Sequence, residues 1–127
     1  MQEKHLYEYS IIRVVPQVER EEFLNVGVIL FCKKPEFLRT VFSLDEAKLK
    51  FFSEDLDPEQ LKENLSAFDK ICKAKKNAGP IAQLDAPSRF RWLTAVRSSV
   101  IQTSRPHPGR SSDLEKTLQR LYSELVL

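Results

Sequence analysis

Alternating and continuous hydrophobic runs divide the first third of the chain into three predicted strands. Residues 6–15, LYEYSIIRVV, are rich in β-branched and aromatic types and stop at Pro16, as strands commonly do. VGVILFC at 26–32 is almost continuously apolar, which is typical of a strand covered on both faces. EFLRTVFSL at 36–44 reads as a third strand, with side chains alternating between two faces. The short links between these runs indicate an antiparallel meander.

From residue 45 onward the hydrophobic period changes to that of helices. DEAKLKFFSED at 45–55 has the composition of a short helix. Asp57-Pro58 is a start signal for an amphipathic helix over about 58–76, whose apolar residues recur at helical spacing. Later in the chain we expect a short helix over 88–95 and a fourth strand over 98–104. A final helix is expected to begin at Ser112, whose hydroxyl would cap it.

These elements define the fold class. The segment RPHPG at 105–109 is expected to be a loop, because two prolines and a glycine interrupt regular structure. We predict one α+β domain over residues 1–127, in the order β-β-β-α-α-β-α with a short helix before the fourth strand. Its sheet is expected to be mainly antiparallel, with about four strands and with helices packed on one face.

Composition narrows the class of protein without naming a function. Hydrophobic residues make up 42% and charged residues 30% of the chain, as in ordinary globular domains and unlike disordered chains. No apolar run approaches a membrane span, and the polar amino terminus does not resemble a secretory signal. We therefore expect a cytoplasmic protein with no membrane association, in which Cys32 and Cys72 are reduced, buried thiols.

Positive charge is concentrated late in the chain. Residues 1–85 carry 13 basic and 15 acidic residues, whereas residues 86–127 carry seven basic and three acidic residues. Within this part, residues 86–112 contain no acidic residue. An asymmetry of this kind points to an anionic partner. The arginines of this acid-free stretch are Arg89, Arg91, Arg97, Arg105 and Arg110.

Motifs for metal or cofactor chemistry are absent from the sequence. His5 and His107 are the two histidines, and neither has a cysteine, histidine or carboxylate partner at ligand spacing. Three glycines scattered along the chain cannot form a phosphate-binding loop. We therefore expect no metal site and no cofactor.

Two polar segments are candidates for ligand binding. On a strand, Ser98, Gln102 and Ser104 would share one face beside Arg97, and a guanidinium beside hydroxyl groups suits a phosphate or carboxylate. Near the amino terminus, VEREEFLN at 18–25 places acidic, basic and amide side chains between two predicted strands. A simpler alternative stays open for each segment. For residues 18–25 the alternative is a solvated hairpin tip that binds nothing. For the late arginines the alternative is pairing with the acids of the first two-thirds of the chain.

Two longer segments together resemble a known family. YEYSIIRVVPQVEREEFLNVGVILFC and RFRWLTAVRSSVIQTSRPHPG are similar to the bacterial domain-of-unknown-function family DUF3037, which has no established activity. The resemblance implies a shared polar site built from both segments, and an association with kinase-like proteins similar to the toxin kinases of bacterial persistence. The candidate ligand-binding residues are Arg13, Arg20, Glu22, Asn25, Arg89, Arg97, Ser98, Gln102, Ser104 and His107.

The leading hypothesis is a small binding module that holds an anionic ligand or a partner protein where these segments converge. A nucleic-acid-binding module is a weaker alternative, which predicts a steep dependence of binding on salt. An enzyme acting on a phosphorylated or nucleotide substrate is another, with Glu22 and His107 as acid and base. The sequence assigns neither a ligand, nor a partner, nor an oligomeric state.

Overall fold

The structure is a computed structural model that describes residues 3–16, 22–95 and 100–127. Three of the candidate ligand-binding residues, Arg20, Arg97 and Ser98, lie outside the described residues. The strands are β1 (His5–Val14), β2 (Leu24–Cys32), β3 (Phe37–Phe42), β4 (Ile101–Thr103) and β5 (His107–Ser111). The helices are α1 (Glu46–Phe52), α2 (Pro58–Cys72), α3 (Ala86–Leu93) and α4 (Leu114–Leu125), with a 3-10 turn at Ile81–Gln83.

All strands belong to one antiparallel sheet. β3 pairs with β2, β2 pairs with β1, and both β4 and β5 pair with the other edge of β1. Thr103 lies opposite Ile12 and His107 lies opposite Tyr9, so β4 and β5 follow one another along β1. Between them, Ser104 accepts a hydrogen bond at Oγ from the Ile11 amide, at 2.8 Å, and donates its own amide to the Ile11 carbonyl.

The strand β5 begins within the segment RPHPG, which was expected to be a loop, and that expectation was wrong for His107 to Gly109. β5 is an edge strand, so the missing amide hydrogen of Pro108 costs nothing on the side that faces away from β1. Gly109 lies opposite Tyr7, whose ring passes 2.4 Å from where a Cβ atom would stand. A residue with a side chain would displace this ring, so glycine here serves packing and does not break the strand.

The helices cover both faces of the sheet. On β2, Ile29 and Phe31 pack into the core beneath α1, α2 and α3, whereas Val28 and Leu30 pack against α4. The α+β class and the antiparallel sheet are confirmed, but the placement of every helix on one face is corrected. The reason is the continuous apolar run of β2, which presents hydrophobic side chains to both faces and needs cover on each.

The helix α4 covers only part of its face, which is called the α4 face here. It packs mainly on β2 and β3, through buried Leu114, Leu118 and Leu121. The part of the same face formed by β1, β4, β5 and the start of β2 is less covered, and it is called the open half-face. Its residues are half-buried or exposed: Tyr9, Ile11, Arg13, Phe23, Asn25, Gln102 and His107.

Both cysteines are unpaired and buried, as predicted. Cys32 lies beneath α4 and donates to the Leu6 carbonyl at 3.3 Å, whereas Cys72 lies in the core on the other face. Burial raises the pKa of the Cys72 thiol to about 12, with a smaller contribution from Asp69. In residues 3–16, 22–95 and 100–127, no helix has the length and apolar character needed to cross a bilayer.

Candidate functional site

Arg13 marks one end of the open half-face. It lies near the end of β1, with Asn25 of β2 as its cross-strand neighbour on one side and Gln102 of β4 on the other. Cross-strand partners of an antiparallel pair project from the same face, so the guanidinium stands between two amide side chains. It stacks on the ring of Phe23, with 4.0 Å from the guanidinium carbon to the ring centroid.

The charge of Arg13 is partly removed from water and has no carboxylate to balance it in the described chain. Burial lowers the pKa of the Arg13 guanidinium. Its Nε–H group is buried and donates to no partner among the described residues, where no ion pair involves this arginine. A buried, incompletely bonded cation is costly, and an anion at this point would supply both the charge and the hydrogen bond.

A bulge in β2 brings Asn25 to the same face. Ile12 lies opposite Gly27 while Arg13 lies opposite Asn25, so Val26 is an extra residue that turns into the core on the other face. Asn25 donates from Nδ2 to the carbonyl of Leu125 at 3.0 Å, which ties the end of α4 to the sheet. Its Oδ1 is buried and has no partner in the described structure.

An aromatic pair marks the other end of the open half-face. The rings of Tyr9 and His107 lie with their centroids 5.3 Å apart and their planes inclined at 34°. Tyr9 and Arg13 are four residues apart on one strand and project from one face, which separates them by roughly 13 Å. The open half-face is therefore a strip with a cationic end and an aromatic end.

Two other candidates serve the fold and do not reach this strip. Arg89 is buried in α3 on the opposite side of the sheet, where its Nη1 donates to the Leu84 carbonyl at 2.6 Å. Ser104 is buried at the interruption between β4 and β5, where its Oγ binds the Ile11 amide and donates to the Arg105 carbonyl. Neither side chain is presented to a ligand on the α4 face.

The position of Glu22 bears on the proposed acid–base pair. Glu22 is exposed just before β2, whose first residue, Leu24, lies opposite Val14. His107 lies opposite Tyr9, so the start of β2 and His107 are separated along the sheet by about five residues, or roughly 17 Å. This spacing does not favour Glu22 and His107 acting together on one bond.

Two members of the strip did not emerge as candidates from the sequence. Tyr9 shares the alternation that carries Tyr7, Ile11 and Arg13, and this period of two was visible in the first strand. Phe23 stands two residues before Asn25, in a segment that is otherwise mostly polar. Their aromatic character becomes informative only when the neighbouring strands are known.

Three further arginines of the acid-free stretch form no ion pair with a carboxylate of the described residues. Arg91, Arg105 and Arg110 are exposed, and none of them takes part in an ion pair within the described residues. The expectation that these arginines form ion pairs with acids from the first two-thirds of the chain is therefore not supported for them, although Arg91 acts electrostatically on Asp85. Across the described ranges no cluster of three metal-ligating side chains occurs.

Comparison with known proteins places the chain in a family. A family model described as "Protein of unknown function (DUF3037)" matches residues 9–126. The chain belongs to the DUF3037 family. Comparisons with curated proteins and with solved structures found no match. The match spans β1 to α4, so this DUF3037 protein presents both sequence segments and the strip that joins them as parts of one family domain.

Proposed function

We propose that this DUF3037 protein is a binding module, and that its open half-face holds an anionic group of a small ligand or of a partner protein. The observation that carries the proposal is Arg13, a half-buried guanidinium with an unpartnered Nε and with no carboxylate in the described chain to balance it. A carboxylate or phosphate accepts two parallel hydrogen bonds from such a group, and this geometry suits arginine better than lysine.

The surroundings of Arg13 support the same chemistry. The ring of Phe23 holds the guanidinium plane by stacking, which fixes its direction at low entropic cost. Asn25 and Gln102 place amide groups on either side of it, and an amide nitrogen carries two donor hydrogens. Asn25 uses one of them on the Leu125 carbonyl, so the second is the hydrogen that would reach an anion, whereas its unpartnered Oδ1 is an acceptor. His107 and Tyr9 add an aromatic surface roughly 13 Å away, on which a ring or an apolar group of the ligand would rest.

A matched pair of variants tests the ligand form of the proposal. Arg13→Met removes the unbalanced guanidinium, whereas Arg39→Met removes an arginine of the same face that stacks on Phe37 and is already paired with Glu115. Thermal unfolding is measured with inorganic phosphate, diphosphate, nucleotides, sugar phosphates and dicarboxylates. At ten times the dissociation constant a bound anion stabilises by about 1.4 kcal/mol, a rise of roughly 3–6 °C for a domain of this size.

We expect at least one of these anions to raise the melting temperature of the wild type and of Arg39→Met, but not of Arg13→Met. If the anion stabilises all three proteins equally, it binds elsewhere and the assignment to Arg13 is wrong. If no anion stabilises the wild type at millimolar concentration, the small-ligand form of the proposal is lost.

The partner form of the proposal has its own test. The association implied by the family resemblance suggests a kinase-like protein, similar to the toxin kinases of persistence, as the first partner to examine. Co-expression of such a neighbour with tagged wild type, Arg13→Glu and Arg39→Glu measures complex formation directly. We expect Arg13→Glu to lose the complex and Arg39→Glu to keep it, and equal recovery of all three would refute a role for the open half-face.

The nucleic-acid alternative enters the same experiments as a probe. A short single-stranded RNA, titrated at two salt concentrations, would show a steep loss of affinity with salt if phosphates supply the contact. No arrangement in the described chain favours an enzyme over a binding module, since His107 and the start of β2 are roughly 17 Å apart along the sheet.

A further inference from the structure

A cleft of about 320 Å³ lies on the opposite face of the sheet, away from the open half-face. It is formed between the start of α3 and the ends of β1, β2 and β5. Its apolar surface comes from Leu6, Phe31, Pro87 and Pro108, and Lys33 and Arg91 stand at its margin. Leu6, the second residue of β1, is 63% exposed.

Positive charge surrounds this cleft. Lys33 and Arg91 line it, and Arg110 lies opposite Leu6 on the same face, at a Cβ separation of about 5 Å. Glu8 is the one acidic residue among those that line the cleft. No ion pair of the described chain involves any of these four charged side chains.

Besides Glu8, Asp85 is a second carboxylate close to the cleft, near Arg91, and its side chain is engaged in capping α3. Its side chain accepts the Ser88 amide at 2.9 Å and so caps the start of α3. Hydrogen bonds from Ser88 are the main cause that lowers the pKa of Asp85, and Arg91 contributes less. The field at the mouth of the cleft therefore stays positive, since three cations face Glu8 and a carboxylate held at a helix cap.

We propose that this cleft docks a short acidic segment of a partner protein, with an apolar side chain inserted over Leu6 and with carboxylates on either side of it. The apolar surface with a cationic margin is complementary to an acidic, apolar peptide in charge and in apolar character. Of the five arginines in the acid-free stretch, Arg91 lines the cleft and Arg110 stands beside its residue Leu6, although 19 positions separate them in the sequence.

A peptide fits this cleft better than a nucleic acid does. The two aromatic residues that line it, Tyr7 and Phe31, are only 6% and 9% exposed, so their rings offer no platform on which a base could stack. The accessible apolar surface belongs instead to a leucine and two prolines. Aliphatic surface of this kind favours a leucine or methionine side chain over a nucleobase.

The experiment measures fluorescence anisotropy with a fluorescein-labelled peptide, Glu-Asp-Leu-Leu-Asp-Glu. Comparison peptides are Glu-Asp-Ser-Ser-Asp-Glu, which keeps the charge, and Lys-Lys-Leu-Leu-Lys-Lys, which reverses it. The protein variants are Leu6→Asp and Arg91→Glu. The matched control is Arg120→Glu, an exposed helical arginine of α4 on the other side of the sheet.

We expect wild type and Arg120→Glu to bind the acidic leucine peptide equally, and Leu6→Asp and Arg91→Glu to bind it at least about fivefold more weakly. That loss corresponds to roughly 1 kcal/mol, the size of a single interfacial contact. Both comparison peptides should bind the wild type more weakly than the acidic leucine peptide does. The titrations are repeated with Arg13→Met present in every protein, which removes the anion site proposed for the open half-face. Leu6→Asp and Arg91→Glu should weaken the remaining binding to the same degree, which separates the cleft from the open half-face.

Three results would overturn the proposal: no binding of the acidic leucine peptide at millimolar protein, equal binding by Leu6→Asp and Arg91→Glu, or tighter binding of a six-nucleotide RNA. A sedimentation experiment that shows a wild-type dimer dissociated by Leu6→Asp would also overturn it, because a second copy would then occupy the cleft.

Leu6 and Arg91 are exposed, so their replacements should fold. If a melting curve shows otherwise, Leu6→Ser and Arg91→Gln take their place.

Discussion

Two arginines on one face of the sheet have nearly the same local setting and opposite electrostatic outcomes. Arg39 of β3 stacks near Phe37 and forms an ion pair with Glu115 at the start of α4. Arg13 of β1 stacks on Phe23 and has no carboxylate partner in the described chain. The difference is the helix, because α4 brings an acid to the covered half of this face and brings only its last turn to the open half.

This contrast separates a residue that serves the fold from one that is available for binding. An exposed arginine with a nearby glutamate has its charge balanced within the chain and contributes little to stability. A half-buried arginine without such a partner retains charge and hydrogen-bonding capacity that only another molecule, or a change of sequence, would satisfy. The comparison of Arg13 with Arg39 can be broken or sharpened by four measurements.

Removing a side chain beneath α4 should have the largest effect. Leu118 is 1% exposed between the helix and the sheet, and Leu118→Ala should lower the free energy of unfolding by about 2–5 kcal/mol through lost burial and a cavity. Ile11→Ala, on the open half-face, should cost roughly 1 kcal/mol, since its side chain is only half-buried. Urea denaturation of both variants tests this, and equal losses would mean that the open half-face is covered in solution.

The thiol of Cys72, in the core on the other face of the sheet, should be strongly protected from alkylation. Because burial raises the pKa of Cys72 from 9.0 to about 12, iodoacetamide at pH 8 should modify it at least about a hundredfold more slowly in the native protein than in urea. The raised pKa favours the folded state below pH 9, and this contribution is lost as the pH rises from 9 toward 12.

The pH dependence of Cys72 has a simple control. Cys72→Ala should remove the loss of unfolding free energy that the wild type shows above pH 9, apart from the contributions of other groups. Fast native modification of this thiol at pH 8 would show that water reaches it, and that the helices on this face cover the sheet less tightly than the structure has them.

Giving Arg13 a carboxylate partner within the chain should balance its charge, as Glu115 balances the charge of Arg39. Gln102→Glu places a carboxylate on the cross-strand neighbour of Arg13, at a Cβ separation of about 5 Å. A double-mutant cycle with Arg13→Met should give a favourable coupling of about 0.5–1 kcal/mol. The same substitution should abolish the thermal shift produced by any anion that Arg13 binds, and an undiminished shift would place the anion elsewhere.

The smallest effect is expected from removing the counter-ion of Arg39. Glu115→Gln should change the free energy of unfolding by about 0.5 kcal/mol or less, because both partners are more than half exposed. Chemical denaturation at low and at high salt measures this change, which should shrink as salt rises. A loss above about 1.5 kcal/mol would show that this ion pair supports the docking of α4, and the two arginines would then differ in more than charge balance.

Much of the fold follows from local signals in the sequence. The three opening strands and the Asp57-Pro58 helix start occur where hydrophobic period and capping residues predict them. The short helix before β4 exists as expected, but it begins at Ala86 behind the cap Asp85, two residues before the expected start. The cap of α4 is Asp113, one residue after the expected Ser112. The error in β5 has a different origin, since proline and glycine break isolated strands but are tolerated at a sheet edge against a large aromatic ring.

The candidate site was predicted in part. Arg13, Asn25, Gln102 and His107 do share one face of the sheet, whereas Arg89 lies on the other face and Ser104 is occupied by the backbone. Residue type alone could not separate these cases. An arginine that donates to a carbonyl and one that has an unpartnered Nε are identical in sequence.

By itself, the sequence determined the elements, the family and the excess of positive charge late in the chain, because periodicity, capping and composition are properties of neighbouring residues. Only the tertiary structure decided which polar residues meet. A bulge at Val26 brings Asn25 to the α4 face beside Arg13, and the pairing of β4 and β5 with β1 adds Gln102 and His107. Strand register and the path of α4 depend on packing between distant segments, and among the described residues that packing gives an acid to Arg39 but none to Arg13.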